Sequence, residues 1–267
     1  MYEAHFGLRR RPFGESVSPS TYLPLPSRES IVRRVRYGLE QGQGPVLIFG
    51  PPGAGKTLLA RVLARELGGT STHVTFPALP PLELLNLLAQ ELGVEIGNDV
   101  SPALALRRLR DWLAGFSVRG ERPLLIVDEA HLIDDVMAFE TLRLLLNFAT
   151  NGPSDLSLLL VGGPEALLRM PPGLVDRLTA RCLLGALSES ESAAYVLGHL
   201  EAAGASTPLF DAESLSILHR AADGLPRRLN RLADLALLIA YAEGQAVADG
   251  HAVAIAAKEF ELDALAV

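Results

Sequence analysis

Gly50-Pro51-Pro52-Gly53-Ala54-Gly55-Lys56-Thr57 carries two glycines, a lysine and a hydroxyl at the spacing GxxxxGK[ST]. Following an apolar run and opening a helix, such a turn offers a concave row of backbone N–H groups to a phosphate, with the helix dipole and Lys56 as counter-charge. Gly53 and Gly55 admit backbone conformations and a close approach that a Cβ would block. The expected nucleotide contacts are Gly50, Pro51, Pro52, Gly53, Ala54, Gly55, Lys56, Thr57 and Leu58, with the Thr57 hydroxyl on Mg²⁺. Lys56 and Lys258 are the only lysines among 24 basic residues, so a compact ammonium at position 56 is specified rather than incidental.

A second cluster follows the apolar run Leu124-Leu125-Ile126-Val127, which ends in Asp128-Glu129. An ionised carboxylate at the end of a buried strand is costly without a partner, and beside a phosphate loop that partner is Mg²⁺. Asp128 is therefore the expected metal ligand and Glu129 the group that polarises the attacking water. The two clusters together point to ATP. His131 completes Asp-Glu-Ala-His, also found in one helicase class, but such helicases need two tandem motor domains and this chain has room for one.

Hydrolysis on this fold usually needs further positive charge at the γ-phosphate, where an arginine contributes roughly 10³ to 10⁵ in rate. Arg177 and Arg181, four apart, would share a face if helical, and that face would be a subunit interface; pairing with nearby acids is the alternative. Gly224-Leu225-Pro226-Arg227-Arg228 opens a helix with two cations, which oppose its dipole. A phosphate facing that end would account for them, and a solvated arginine pair is the plainer reading.

The elements that must position these residues alternate. Apolar runs at Val46 to Phe49, His73 to Phe76, Leu124 to Val127, Leu156 to Val161 and Cys182 to Leu184 read as buried strands. Helical patterns lie between them at Lys56 to Leu67, Leu82 to Leu92, Ala103 to Ala114 and Val136 to Ala149. The expected fold is α/β: a five-stranded parallel sheet flanked by helices, with right-handed crossovers. After Leu187 the strand pattern stops, and Ser188-Glu189-Ser190-Glu191 is a capping box opening about four helices: Glu189 to Ala203, Ala212 to Ala222, Pro226 to Ala242 and Gly250 to Phe260. The expected domains are 1–187, nucleotide-binding with a basic segment 1–40, and 188–267, a small all-α lid.

The 267 residues are 49% hydrophobic and only 6% aromatic, which favours a helix-rich interior of Leu, Ala and Val. A net charge of −7 argues against a general nucleic-acid coat and leaves room for a local basic patch. In residues 1–40 seven arginines (Arg9, Arg10, Arg11, Arg28, Arg33, Arg34, Arg36) face four acids (Glu3, Glu15, Glu29, Glu40), and they read as a solvated helix face or a binding arm. The lone Cys182 rules out an internal disulfide. With no signal-peptide layout at the start and no apolar run long enough to span a bilayer, the expected location is cytoplasmic, without an integral membrane segment.

The order of phosphate loop, Asp-Glu pair, pre-strand arginine and Gly-x-Pro-Arg helix resembles AAA+ ATPases. Within them, Met1-Tyr2-Glu3-Ala4-His5-Phe6-Gly7-Leu8, Arg11-Pro12-Phe13 and Val161-Gly162-Gly163-Pro164-Glu165 resemble the ExeA-like, general secretion pathway protein A family over nearly the whole chain. The resemblance implies Lys56 and Thr57 as Walker A, Asp128 and Glu129 as Walker B, Arg227 as the sensor 2 arginine, Arg177 as the preferred arginine finger, and Tyr22 and Leu23 beside the adenine. Gly163 replaces the polar sensor 1 glutamine of the family, so hydrolysis is slow or another polar group substitutes. The family's larger members also carry a membrane span and a cell-wall-binding region that this sequence does not reach.

The leading expectation is an ATP-driven homo-oligomeric switch or motor, a ring or filament acting on an unidentified protein partner and linked to secretion or envelope assembly. The alternatives are an ATP-dependent DNA-associated regulator of the transposition or initiator type and a nucleotide-binding scaffold with negligible turnover.

Overall fold

The computed structural model describes residues 1–14, 17–94, 101–150 and 152–265. Glu15, one of the four acids weighed against the N-terminal arginines, lies outside them. By contact the chain divides into a helical unit (Met1–Glu29, Gly53–Gly55, Gly185–Val267) and a sheet unit (Ser30–Pro52, Lys56–Leu184).

In the sheet unit the strands are β1 (Val46–Phe49), β2 (Ser71–Val74), β3 (Leu124–Val127), β4 (Ser157–Gly162) and β5 (Ala180–Leu183), paired in parallel in the order β2-β3-β4-β1-β5. The sheet is the five-stranded parallel one that the apolar runs predict. β1 and β3 stand where expected and β4 one residue later. The edge strands differ: β2 starts two residues before the expected His73 and stops short of the exposed Phe76, and β5 spans 180–183 instead of 182–184. An edge strand takes its limits from the one neighbour that pairs with it, here Ser71 opposite Leu124 and Ala180 opposite Val46, more than from the hydrophobicity of its own residues.

Helices precede the first strand and separate most of the others. In chain order they are α1 (Tyr2–His5), α2 (Pro26–Gln41), α3 (Lys56–Leu67), α4 (Pro81–Glu91), α5 (Pro102–Val118), α6 (Val136–Leu145), α7 (Ala166–Arg169) and α8 (Pro172–Val175). One core of the sheet unit packs Leu84, Leu88, Leu109, Leu113, Phe139 and Leu142 from α4, α5 and α6 on Leu125, Val127, Leu158 and Leu160 of the strands. Ser101 caps α5, accepting from the Leu104 N–H with Pro102 at the first helical position. α6 ends four residues before the expected Ala149. Beyond it the Asp155 carboxylate accepts from the Thr150 N–H at 3.1 Å and the Thr150 hydroxyl at 2.7 Å, closing a loop in place of the last helical turn.

The helical unit holds α9 (Glu189–Ala202), α10 (Ala212–Ala221), α11 (Pro226–Ala242) and α12 (Gly250–Leu265). The Ser188/Glu191 capping box is formed. Residues 1–29 belong to this unit, and the reason is burial: Tyr2, Phe6, Leu8, Phe13 and Leu25 enter the same core as Val196, Leu218, Leu232 and Val253. A free arm is therefore the wrong picture of the N-terminal arginines. Arg11 Nε donates to Asp234 Oδ1 at 2.8 Å, and Arg28 is 6% exposed and donates to the Gly185 carbonyl at 2.9 Å. Among the described residues no helix is long and apolar enough to cross a membrane.

Candidate functional site

In the sheet unit, β1 delivers Gly50 and α3 begins at Lys56, so the phosphate-loop residues stand at a strand end and a helix N-terminus. The Lys56 ammonium donates to the Gly50 and Pro51 carbonyls at 3.0 Å each, folding back over its own loop. Gly55 has φ +94° and open space where a Cβ would stand, so the glycine is required by conformation and keeps the loop surface clear. Ala54 is buried, Pro52 is exposed, and Leu58 is half-buried.

β3 ends at Val127, and the Asp128 N–H continues its ladder by donating to the Val74 carbonyl at 2.8 Å. The Asp128 carboxyl is held by three donors. His73 Nε2 lies 3.2 Å from Oδ2, the Glu129 N–H is 2.9 Å from Oδ1, and the Thr57 hydroxyl is the third. Burial pushes this carboxyl up, but the hydrogen bonds of His73, Thr57 and Glu129 outweigh it and keep it below the ordinary aspartate value. Asp128 is thus satisfied by protein donors, where the sequence predicts that it needs a cation. His73, which the sequence leaves unassigned, sits in β2 two residues after Ser71 and faces the adjacent strand's end.

Glu129 adopts the left-handed region, φ 52° and ψ 35°, and its side chain is 45% exposed. It lies 3.4 Å from His131 Nδ1, and the same nitrogen accepts from the Gly163 N–H at 3.2 Å, just past the end of β4. The structure therefore brings Lys56, Thr57, Asp128 and Glu129 beyond the ends of β1 and β3, the two strands that flank β4, at the carboxyl-terminal edge where open α/β sheets bind ligands. Hard oxygen donors such as the Asp128 carboxylate and Thr57 hydroxyl suit Mg²⁺, which is ordinarily bound through one or two carboxylates with phosphate and water completing the shell. Among the described residues no group of three or more His, Cys, Asp or Glu side chains could hold a metal by itself.

The other expected residues stand elsewhere. Arg177 follows α8, and its guanidinium donates to Asn147 Oδ1 at 2.9 Å. Arg181 is in β5, donating to the Val175 carbonyl at 2.9 Å, so the two arginines do not share a helix face. Buried Cys182 packs in the same strand, as expected. In the helical unit the Arg227 N–H, at the start of α11, donates to the Gly53 carbonyl at 3.2 Å, and a Cβ on Gly53 would stand 3.0 Å from that of Arg227. Arg228 pairs with Asp223, which accounts for one of the two unexplained cations without a phosphate. Tyr22 donates to Glu29 Oε1 at 2.8 Å, and Leu23 packs where a Gly198 side chain would be.

The AAA domain family matches residues 39–170. General secretion pathway protein A of Aeromonas hydrophila is 37% identical over 253 residues, covering 91% of this chain and 46% of that protein, so the chain spans about half the relative's length. The fold is shared with the Aeropyrum pernix ORC2 protein, solved in ADPNP-ADP complexes (TM-score 0.69, 23% identity, 94% of this chain and 72% of that one). It is shared too with the Thermotoga maritima RuvB Holliday junction branch migration motor (TM-score 0.60, 18% identity, 87% and 67%). The chain therefore belongs to the AAA+ ATPases and, within them, to the family of general secretion pathway protein A.

Proposed function

We propose that the chain binds and hydrolyses ATP with Mg²⁺ and works as a nucleotide-dependent oligomeric switch on another macromolecule, in a process of secretion or envelope assembly. The observation that carries this reading is the gathering of Lys56, Thr57, Asp128 and Glu129 beyond the ends of β1 and β3, with the Thr57 hydroxyl on the Asp128 carboxyl. Gly50 to Leu58 would receive the phosphates. Thr57 and Asp128 would hold Mg²⁺, which when bound supplies neutralisation of phosphate charge. Glu129 orients the attacking water and takes its proton. Arg227, anchored by its backbone to Gly53, and Arg177 from a neighbouring copy are assigned to the terminal phosphate, and Tyr22 and Leu23 to the adenine, by family resemblance. Residues 188–267, whose core is completed by residues 1–29, serve as the lid of the nucleotide-binding domain, and the chain works in the cytoplasm. Titration calorimetry with Mg-ATP should show binding to the wild-type protein and affinity at least about tenfold weaker for Lys56→Ala, the loss of one charge-assisted hydrogen bond. Absence of heat with wild-type protein would overturn the reading.

One observation favours a second reading, a DNA-associated regulator. Arg33, Arg34 and Arg181 line a hollow of about 600 Å³ in the sheet unit, with exposed Tyr37 beside them and no carboxylate in its walls. Drosophila ORC, solved bound to DNA, shares the fold at TM-score 0.66 and 19% identity. Fluorescence anisotropy with duplex DNA at two salt concentrations should show ATP-dependent binding that weakens with salt and on Arg34→Glu. Lack of binding at the lower salt removes this reading and leaves the first intact.

A further inference from the structure

Just past the end of β4 stands Gly163, which has no side chain to reach towards Glu129, yet the space it faces is filled. A Cβ built on Gly163 would stand 2.3 Å from Glu165 Oε2 and 3.6 Å from His131 Cγ, and one on Gly162 would meet the His131 backbone nitrogen at 3.1 Å. The end of β4 is thus packed directly against the short helical turn Ala130–Leu132 that carries His131. The ring is 28% exposed, and one nitrogen, Nδ1, lies 3.2 Å from the Gly163 amide and 3.4 Å from the Glu129 carboxylate.

We propose that His131 is a positioning residue for Glu129, its Nδ1 engaging either the strand end or the acidic group where position 163 has no side chain to do so. This rests on the reading of Glu129 as the group that activates water. A neutral imidazole has one N–H and one acceptor nitrogen. With the proton on Nδ1 it donates to Glu129 Oε2 and fixes that carboxylate. With the proton on Nε2 it accepts from the Gly163 N–H and releases Glu129. The two states differ only in tautomer, so a shift of the β4 end that breaks the Gly163 contact favours the state that fixes Glu129. His131 touches no reacting atom in this scheme. It sets where the Glu129 oxygens are when water is there to be polarised, and misplacing a positioned group by about 1 Å can cost about a hundredfold.

The test uses steady-state phosphate release and ATP binding by the full chain carrying His131→Ala, His131→Asn, His131→Gln or Glu129→Gln. An asparagine amide reaches the position of Nδ1, a glutamine amide that of Nε2. The expected result is a kcat lower by about tenfold to a hundredfold in His131→Ala with KM for ATP within about twofold of wild type, most of the loss restored by Asn and little by Gln. A purely packing role would move the unfolding midpoint and treat Asn and Gln alike. If His131→Ala does not fold, the Asn and Gln variants alone decide. Glu129→Gln inactive with His131→Ala at wild-type rate, or Gln rescuing as well as Asn, overturns the inference while the reading of Glu129 stands. Glu129→Gln at wild-type rate overturns that reading itself.

Discussion

Glu129→Gln should lower the rate of phosphate release by about 10²- to 10⁴-fold, the range for removing a general base, while leaving Mg-ATP binding near its wild-type strength. The expectation comes from how differently two neighbouring carboxylates are held. Asp128 is 3% exposed, and its oxygens are occupied by His73, Thr57 and the Glu129 amide. Glu129 is 45% exposed, so one carboxylate is fixed while the other remains open to water. The backbone that presents it is strained: a left-handed glutamate costs on the order of 1–3 kcal/mol, and such conformations gather at functional sites. The Leu132 N–H, donating to the Glu129 carbonyl at 2.8 Å, helps to hold it there. Glutamine keeps shape and polarity and loses only the ability to take a proton. Equal rates in the two proteins, measured by phosphate release under saturating Mg-ATP, would remove Glu129 from the chemistry. A parallel loss of ATP binding would instead place it among the binding groups.

What could be read in the sequence followed how strongly each signal was tied to burial. β1 and β3 are central and apolar throughout, and their limits came out to the residue. β2 and β5 are edges whose ends answer to pairing partners, and Phe76, apolar yet 61% exposed, drew the expected β2 outward. The phosphate loop and the acidic pair were legible because each is one short contiguous run. His73 and His131 were not, since each acquires its meaning from a strand far along the chain: His73 Nε2 from Asp128, His131 Nδ1 from Gly163. The N-terminal arginines misled for the same reason. Arg28 reads as surface in a run of charged residues, but its guanidinium is buried against the Gly185 carbonyl, 157 positions away, and burial pulls its pKa below the usual arginine value. The helical reading of Arg177 and Arg181 failed because Arg181 belongs to β5, whose ladder with β1 overrides any local helical periodicity.

Gly50→Ala should destabilise the protein by about 3 kcal/mol, although position 50 lies in a loop whose obvious duty is to a ligand. Its φ lies outside the left-handed region, so the cost is not conformational. A Cβ there would fall 2.2 Å from the Leu184 carbonyl oxygen and 3.0 Å from its carbon, both backbone atoms that cannot swing aside as a side chain can. Those atoms are held: the Leu184 N–H donates to the Phe49 carbonyl at 2.7 Å, and the Gly50 N–H donates to Gly162 at 3.3 Å on the other side of β1. Relief must come from separating the ends of β1 and β5. Gly173→Ala is the matched control, with neither a near neighbour nor a left-handed φ, and should leave the urea midpoint almost unchanged. Gly55→Ala stands between them, since it has open space but a φ of +94°. If Gly50→Ala unfolds at the same urea concentration as Gly173→Ala, the close approach to Leu184 is not a constraint. If it unfolds earlier without any nucleotide present, the first glycine of the phosphate loop is required by the sheet. The ligand then inherits a loop whose start is already fixed, including the Gly50 carbonyl that seats the Lys56 ammonium.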